Sequence, residues 1–378
     1  MKPLRILYLF SFFLAVQFAV TTYINSTFLA QFIGEKNVGL IYALGSTLAI
    51  IGLLFLPRFT VKIGNFKVVN LILFAMLFSL VGLFQAKNIT AGLFLMLVYF
   101  ATNMIIVFSR DIFIEKYTRE ESTGRTRGAF LTAVNLGFVL APAAAGFLAE
   151  RSLNNVYILA ALLLIPAFFL IRPFKKFHDP HYEPPVLREV WKKFREDKNV
   201  LKIYLINFIL QFFYVWMVVF MPIYLNKHIG FGFGTIGLIF TIMLLPFVIF
   251  QYPLGRLADK IGEKEMLNTG IVIASLSTLA IPFIKTPNFF LWAGVLFMTR
   301  VGAAIIEAMT EIYFFKKVGA KDLEIISFFR NTYPVANVIA PLLASGLFIF
   351  TSFNGLFITL GFVVLAAIFF SVRLVDTD

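Results

Sequence analysis

The sequence predicts an all-α membrane protein with twelve transmembrane helices in two six-helix bundles. Of its 378 residues, 60% are hydrophobic and only 14% are charged, whereas soluble domains average about 25% charged residues. Apolar runs of about 20 residues, the length that crosses the hydrocarbon core of a bilayer as a helix, recur along the whole chain. The two halves of the chain also repeat each other, as described below.

Charged residues, glycines and prolines divide the apolar runs into twelve predicted spans. In chain order these lie near 5–29, 38–57, 66–86, 90–114, 128–149, 153–173, 201–225, 232–254, 266–285, 288–314, 325–350 and 354–373. The first run is too long for the apolar region of a signal peptide, and no small-residue cleavage site follows it. We therefore expect it to be a retained first helix.

The distribution of Lys and Arg predicts the orientation. The loops on the side of the two termini carry 25 of the 33 Lys and Arg, and the opposite loops carry 5. Lys and Arg concentrate in cytoplasmic loops of membrane proteins. Both termini are therefore predicted to be cytoplasmic, in a cytoplasmic (inner) membrane. The loops account for the net charge of +13, so no nucleic-acid partner is predicted.

The repeat supports a division into two bundles. The segment RFTVKIG (58–64) matches RLADKIG (256–262) at an offset of 198 residues, and Pro142 matches Pro341 at an offset of 199. The predicted domains are an N-terminal bundle at 1–173, a cytoplasmic linker at 174–200 and a C-terminal bundle at 201–378. Apolar residues at helical spacing after Pro185 predict an amphipathic helix in the linker.

Several function classes are excluded by missing residues. The chain has no Cys, and the linker histidines His178 and His181 lack a close third ligand, so we predict no metal site. No Gly-x-x-x-x-Gly-Lys-[Ser/Thr] phosphate loop occurs, and no Ser/His/Asp constellation lies in the spans. We predict neither an enzyme nor a cofactor, and we expect a monomer.

The segment PLGRLADKIGEKE (253–265) carries a family resemblance. It resembles the loop motif Gly-x-Leu-Ala-Asp-Arg-x-Gly-Arg-Lys of the major facilitator superfamily of secondary transporters, and the twelve spans and the repeat extend that resemblance over the whole chain. The resemblance implies a cytosolic gate formed by Gly255, Asp259, Lys260 and Gly262, with a plain tight turn as the alternative. Glu263 departs from the pattern.

A second motif resembles that of the drug/proton antiporters in this family. Gly137, Pro142 and Gly146 in the fifth span match its Gly-x-x-x-Gly-Pro-x-x-Gly-Gly pattern, with Ala in two of the Gly positions. The resemblance favours antiport. The alternative is ordinary close packing of helices at small residues.

Ionisable residues inside the spans are functional candidates, because charge in the bilayer is costly. Glu307 and Glu311 in the tenth span lie within about 20° of Arg300 on a helical wheel. Two carboxylates four residues apart in a low dielectric repel each other, and a proton on one relieves the repulsion. This predicts a proton-coupling site, with Arg300 holding an anionic or polar group. The alternative is a position near the cytosol, where Lys316 and Lys317 would neutralise both acids.

Polar stripes lie on the spans that the resemblance identifies as cavity-lining, namely one, four, seven and ten. The candidates for solute or proton contact on them are Gln17, Asn103, Arg110, Asp111, Asn207 and Gln211. An intracellular salt-bridge gate is an equal alternative for Arg110 and Asp111. Any single stripe is also compatible with hydrogen bonding between helices.

These features predict a secondary active transporter that moves a small organic solute by alternating access, coupled to protons. Export is slightly favoured by the fifth-span motif and the Phe-rich walls. The alternative is a facilitator or proton symporter that imports a nutrient such as a sugar or small acid, which the polar stripes and the lack of an acidic residue in the first span favour. A non-transporting sensor on the same fold is a third class, and an added domain or tail is expected for it.

Overall fold

The computed structural model describes residues 3–117, 123–177, 195–318 and 323–375, and every regular element in these ranges is helical. The first half contains seven α-helices. They are α1 (Pro3–Thr22), α2 (Asn25–Ile33), α3 (Val38–Ile63), α4 (Asn65–Gln85), α5 (Ile89–Tyr117), α6 (Thr123–Arg151) and α7 (Asn154–Leu170). Together they account for the first six predicted spans, with α1 and α2 sharing the first.

The second half contains ten described α-helices that account for the other six spans. They are α8 (Lys198–Ile223), α9 (Phe233–Leu244), α10 (Pro246–Ile249), α11 (Gln251–Ile261), α12 (Glu263–Ala280), α13 (Phe289–Lys317), α14 (Leu323–Arg330), α15 (Thr332–Leu347), α16 (Phe353–Ala366) and α17 (Ile368–Ser371). The chain is thus a twelve-span helical membrane protein, as predicted. In the described ranges, nine helical segments are long and apolar enough by themselves to cross a bilayer.

Four predicted spans contain breaks that the apolar pattern does not reveal. The first span turns at Tyr23 and Ile24, and the eighth breaks at Leu245 before Pro246 and again at Phe250. The eleventh breaks at Asn331 and the twelfth at Ala367. Proline lacks the amide hydrogen that continues a helix and restricts the residue before it, which explains the break at Leu245. The seventh span ends in a π-helix over Tyr224–Ile229.

The chain divides into two compact units. Unit 1 comprises Met1–Tyr182, Leu225–Lys227 and Phe231–Thr241, and unit 2 comprises Glu183–Tyr224, His228–Gly230 and Ile242–Asp378. In unit 1, α1 packs against α6 and α7, and α5 packs against α3 and α4. In unit 2, α13 packs against α12, α8 and α11. The domain boundary at 174–200 stays a prediction, and the amphipathic helix predicted after Pro185 lies outside the described residues.

The internal repeat is visible in two equivalent turns. Gly64 joins α3 to α4 with φ 85°, and Gly262 joins α11 to α12 with φ 94°. Glycine is favoured where φ is positive because it lacks a Cβ atom. Each glycine amide also donates to a carbonyl four residues earlier, Thr60 and Ala258 respectively, and so closes the preceding helix. The sequence match between 58–64 and 256–262 therefore corresponds to one turn geometry used twice.

Candidate functional site

The candidate site in unit 2 is centred on Arg300, the twelfth residue of the 29-residue helix α13. Arg300 is only 2% exposed. Its guanidinium carbon lies 5.3 Å from the ring centroid of Phe213 and 5.2 Å from that of Tyr214, both on α8. The faces of aromatic rings attract a cation at this distance. Arg300, which was predicted to lie within the tenth span, is therefore buried against aromatic rings.

The guanidinium of Arg300 is not fully satisfied by these contacts. Its Nε is buried and has no hydrogen-bond partner. Among the residues that the structure describes, no carboxylate oxygen lies within 4 Å of an Arg300 nitrogen. A buried polar group without a partner costs about 1–3 kcal/mol, and more when it is charged. Arg300 is therefore a buried cation with an unused donor.

A hydrogen bond connects Glu307 to the same aromatic pair. The Tyr214 hydroxyl donates to Glu307 Oε2 at 2.6 Å, and both side chains are half-buried. Glu307 lies seven residues, or about two helical turns, after Arg300 on the same face of α13. Tyr214 thus contacts Arg300 with its ring and Glu307 with its hydroxyl. Tyr214 lies three residues after Gln211 on α8, but its pairing with Arg300 and Glu307 was not predicted from the sequence.

Glu311 lies one turn further along α13 and is exposed. The alternative in which Lys316 and Lys317 neutralise these acids stays a prediction. Lys316 Nζ lies 2.5 Å from Glu263 Oε1, at the start of α12. Glu263 is only 3% exposed, so its carboxylate is buried. The position at which the sequence departs from the family loop motif is therefore one partner of an ion pair. This ion pair was not predicted from the sequence. The departure of Glu263 from the family motif was the only sign of it there.

Of the other candidates on α8, Asn207 bonds to a neighbouring helix and Gln211 bonds within α8. Asn207 Nδ2 donates to Thr332 Oγ1 at 3.0 Å, at the start of α15. Gln211 Nε2 donates to Asn207 Oδ1 at a long 3.4 Å. The bond of Asn207 is of the kind that the alternative interpretation of the stripe describes, hydrogen bonding between helices. Gln211 is half-buried, and a solute contact at either residue stays a prediction.

Unit 1 contains a separate buried network without formal charge. Gln17 Nε2 donates to Asn103 Oδ1 at 2.8 Å, and the Tyr99 hydroxyl donates to Gln17 Oε1 at 3.1 Å. The Thr21 hydroxyl lies 2.7 Å from that of Tyr99. All four side chains are buried. The stripes predicted on spans one and four are thus brought together by α1 and α5.

Arg110 and Asp111 lie two turns beyond Asn103 on α5. Arg110 Nη2 and Asp111 Oδ1 are 2.9 Å apart, and Arg110 Nε donates to the same oxygen at 3.1 Å. The two residues are sequence neighbours, so this ion pair is local to one helix. A part in solute contact or in an intracellular gate stays a prediction for both.

The predicted gate motif is mostly helical. Gly255 and Asp259 lie within α11, and the turn itself is the single residue Gly262. Lys260 is exposed in the last turn of α11, where a cation favours the negative end of the helix dipole. The side chain of Asp259 lies outside the described part of the chain, and the gating role stays a prediction.

The antiporter-like motif on α6 forms two close contacts within unit 1. A Cβ atom on Gly137 would lie 2.8 Å from Val16 Cγ2 of α1. A Cβ atom on Gly237 of α9 would lie 3.1 Å from Gly146 Cα and would also clash with the Pro142 carbonyl oxygen. Backbone meets backbone at this point because neither helix carries a side chain there. The sequence analysis did not identify Gly237 as the partner of the motif.

Comparison with known proteins places the chain in a family. The family model described as "Major Facilitator Superfamily" matches residues 109–234 and 203–378. The "Multidrug resistance protein MdtG" of Klebsiella pneumoniae (strain 342) is 25% identical over 268 residues, which is 67% of this chain and 63% of the relative's length. The protein of the same name from Salmonella choleraesuis (strain SC-B67) is 24% identical over 280 residues, covering 70% of this chain and 67% of its own.

A solved structure shares the fold over nearly the full length. It is titled "Structure of a bacterial metal transporter" and superposes with a TM-score of 0.70, covering 99% of this chain and 98% of its own, at 12% sequence identity. At this identity the likeness shows the fold alone. Together with the two family-model matches, the helical spans show that this integral membrane protein belongs to the Major Facilitator Superfamily.

Proposed function

We propose that the protein is a secondary active transporter, which moves a small organic solute across the membrane by alternating access and couples this movement to protons through Glu307. The observation that carries the proposal is the contact of Tyr214 with both Arg300 and Glu307. Ionisable side chains within membrane spans are costly to place, and they are typical of solute and proton pathways.

Glu307 has the attributes of a proton carrier. Its carboxylate is half-buried on a transmembrane helix and receives the hydroxyl hydrogen of Tyr214 at 2.6 Å. The charges that act on it from its own helix are Arg300 and Glu311. These charges act on the ionised carboxyl group more strongly than on the neutral one, because Arg300 attracts the ionised form and Glu311 repels it. Movement of α8 relative to α13 would break the hydrogen bond from Tyr214 and so change the affinity of Glu307 for its proton.

Export is the direction that the relatives and the fifth-span motif favour. Two relatives carry the name "Multidrug resistance protein MdtG". The antiporter-like motif forms a close helix contact at Gly146 and Gly237. Two helices without side chains at their contact can slide or separate with little repacking of side chains, which suits a transport cycle. We propose export of an amphiphilic organic molecule as the first candidate function.

Import by proton symport or facilitated diffusion is the second candidate. The neutral network of Gln17, Tyr99 and Asn103 favours it. Amide and hydroxyl groups in a buried setting offer donors and acceptors to a polar nutrient, such as a sugar or a small acid, without a charge. A monomeric carrier in an inner membrane, with both termini cytoplasmic, belongs to both candidates, and protons belong to the export and symport mechanisms.

Proton movement in proteoliposomes tests the proposal. The protein is reconstituted with a pH-sensitive dye inside the vesicles and screened against pooled solutes. We expect solute-dependent proton flux in the wild type and its loss in Glu307→Gln. Glu265→Gln is the matched control, because Glu265 is an exposed acid at the start of α12. Solute uptake without proton flux in the wild type would contradict coupling and indicate a facilitator.

A further inference from the structure

The unused donor of Arg300 restricts the chemistry of the solute. Nε of Arg300 is buried without a hydrogen-bond partner, while the ring faces of Phe213 and Tyr214 cover the guanidinium. Buried polar groups in folded proteins nearly always have partners, and an exception requires an explanation. Ring faces attract the charge of a guanidinium but offer its N–H groups no lone pair in the plane. A bound molecule with lone pairs in that plane would supply the missing partner.

The geometry points to an organic anion as the solute, with its carboxylate, sulfonate or phosphonate group bound at Arg300; this inference rests on the proposed transport function. Arginine presents its donors in a planar fork that matches two oxygens of such a group. Nε is one of the donors that such a fork uses, and it is buried without a hydrogen-bond partner. A neutral carbonyl oxygen would satisfy a single donor and would bring no negative charge close to the guanidinium.

The surroundings of Arg300 also indicate what the rest of the anion looks like. Phe213, Tyr214 and Phe247 form an aromatic wall, in which the rings of Tyr214 and Phe247 lie 6.1 Å apart, edge to face. Aromatic and apolar groups pack well against such a wall. Tyr214 is half-buried whereas Phe213 is fully buried, so the ring of Tyr214 is the more exposed of the two that cover the guanidinium. We therefore expect a flat, apolar body that carries one acidic group.

The carboxylate of Glu307 does not occupy the position at Arg300 that we assign to the acidic group of the solute. Glu307 is held by the Tyr214 hydroxyl two helical turns away. Among the described side chains, no carboxylate oxygen reaches within 4 Å of an Arg300 nitrogen. Glu307 therefore balances the charge of Arg300 at a distance, and it does not accept a hydrogen bond from Nε. A cationic solute would meet the positive charge of Arg300 at this position and would be repelled.

A set of matched naphthalene derivatives tests this inference by isothermal titration of the full-length protein in detergent. The probes are 2-naphthoate and 2-naphthalenesulfonate as anions, 2-naphthamide as the neutral analogue and 2-naphthylmethylammonium as the cation. We expect the anions to bind at least about tenfold more tightly than the other two, as one well-formed ionic hydrogen bond provides. Arg300→Gln should abolish that preference. Arg172→Gln is the matched control, because Arg172 is exposed and also lies over a ring, that of Phe169 at 4.8 Å.

A second variant, Arg300→Lys, keeps the inference testable if Arg300→Gln does not fold. Arg300→Lys keeps the charge but loses the planar fork, so it should still prefer anions over the amide while binding 2-naphthoate more weakly. Equal or tighter binding of the amide or the ammonium probe by the wild type would overturn the inference. An unchanged preference for anions in Arg300→Gln would do so as well.

The same probes separate failure of this inference from failure of the proposed function. Proteoliposome flux driven by the amide or the ammonium probe, without anion binding, would leave the transport function standing and overturn the anion site. Anion binding that depends on Arg300, without flux of any probe, would support the anion site and contradict transport. Flux of 2-naphthoate in the wild type that is lost in Arg300→Gln and kept in Arg172→Gln supports both.

Discussion

The Tyr214 hydroxyl donates a hydrogen bond of 2.6 Å to Glu307 Oε2 and joins α8 to α13 within the membrane. The ring of the same tyrosine lies 5.2 Å from the guanidinium carbon of Arg300. One side chain therefore contacts both the acid that we propose as the proton carrier and the cation that we propose as the anion site. A shift of Tyr214 alters the surroundings of both groups at once.

We predict that Tyr214→Phe uncouples the two groups without disturbing the fold. Phenylalanine keeps the ring over Arg300 but lacks the donor to Glu307. A hydrogen bond to a charged group contributes about 1.5–3 kcal/mol, so solute-dependent proton flux should fall about tenfold or more, while solute affinity changes by less than about twofold. Flux and binding are measured on the same preparation. Tyr204→Phe, on the same helix, should leave both at the wild-type level; equal losses of flux in the two variants would contradict the prediction.

The pH dependence of anion binding should have a definite sign. An anion at Arg300 and an ionised Glu307 repel each other, so a proton on Glu307 favours the anion. We predict that 2-naphthoate binds more tightly at the lower of two pH values at which the probe itself stays ionised, since carboxylic acids titrate near about pH 4. The facing groups that bear on Glu307 are Tyr214 from α8, with Arg300 and Glu311 from α13. The dependence should vanish in Glu307→Gln and persist in Glu311→Gln.

The sign of this dependence also separates the two candidate functions. Binding effects between two ligands are reciprocal, so an anion whose binding a proton favours also favours the binding of that proton. Such an anion and proton are carried together, as in a symporter. An exported solute that exchanges for a proton has to compete with it instead. The names of the relatives favour export, whereas the electrostatics of Arg300 and Glu307 favour cotransport of an anion. Tighter binding at the higher pH would contradict the cotransport interpretation.

The contact between Gly146 and Gly237 predicts a difference between two glycine variants. A Cβ atom at Gly237 would meet the Pro142 carbonyl oxygen and Gly146 Cα, and such overpacking costs typically about 1–3 kcal/mol. Gly237→Ala should therefore lower the midpoint of thermal unfolding in detergent. Gly294 on α13 has no atom within 4 Å of the position of its Cβ, and Gly294→Ala should leave the midpoint unchanged or raise it, because alanine favours the helix. Equal effects of the two variants would contradict the contact.

The spans were predictable from the sequence, whereas the pairings between them were not. Hydropathy is a local property, so the apolar runs gave the helices, and the spacing of Arg300 and Glu307 gave their shared face. Spacing along α13 carries no information about which residue of α8 faces it, so the bond from Tyr214 to Glu307 was not predicted. The same holds for Gly237 opposite Gly146. The assignment of Arg300 and Glu307 to transport stays a prediction.

The ion pair between Glu263 and Lys316 should stabilise the start of α12. The Glu263 side chain is 3% exposed and that of Lys316 is 40% exposed. Loss of the cation next to a buried carboxylate destabilises the protein, but less than for a fully buried pair because water reaches Lys316. We predict that Lys316→Met lowers the free energy of unfolding by roughly 1–2 kcal/mol, measured by denaturant titration in detergent. Adding Glu263→Gln should restore most of it, and Lys317→Met, at the exposed neighbouring position, should change it by less than about 0.5 kcal/mol.

The absence of cysteine makes the orientation directly testable. The chain has no Cys, so one introduced cysteine is the only target for a maleimide that cannot cross the membrane. Lys175 and Lys87 are both exposed and lie in loops that the distribution of Lys and Arg places on opposite sides. In intact cells, Lys87→Cys should react and Lys175→Cys should react only after the membrane is permeabilised. The reverse pattern would place the loops rich in Lys and Arg outside the cell, and it would also reverse the direction assigned to any flux measured from the known orientation.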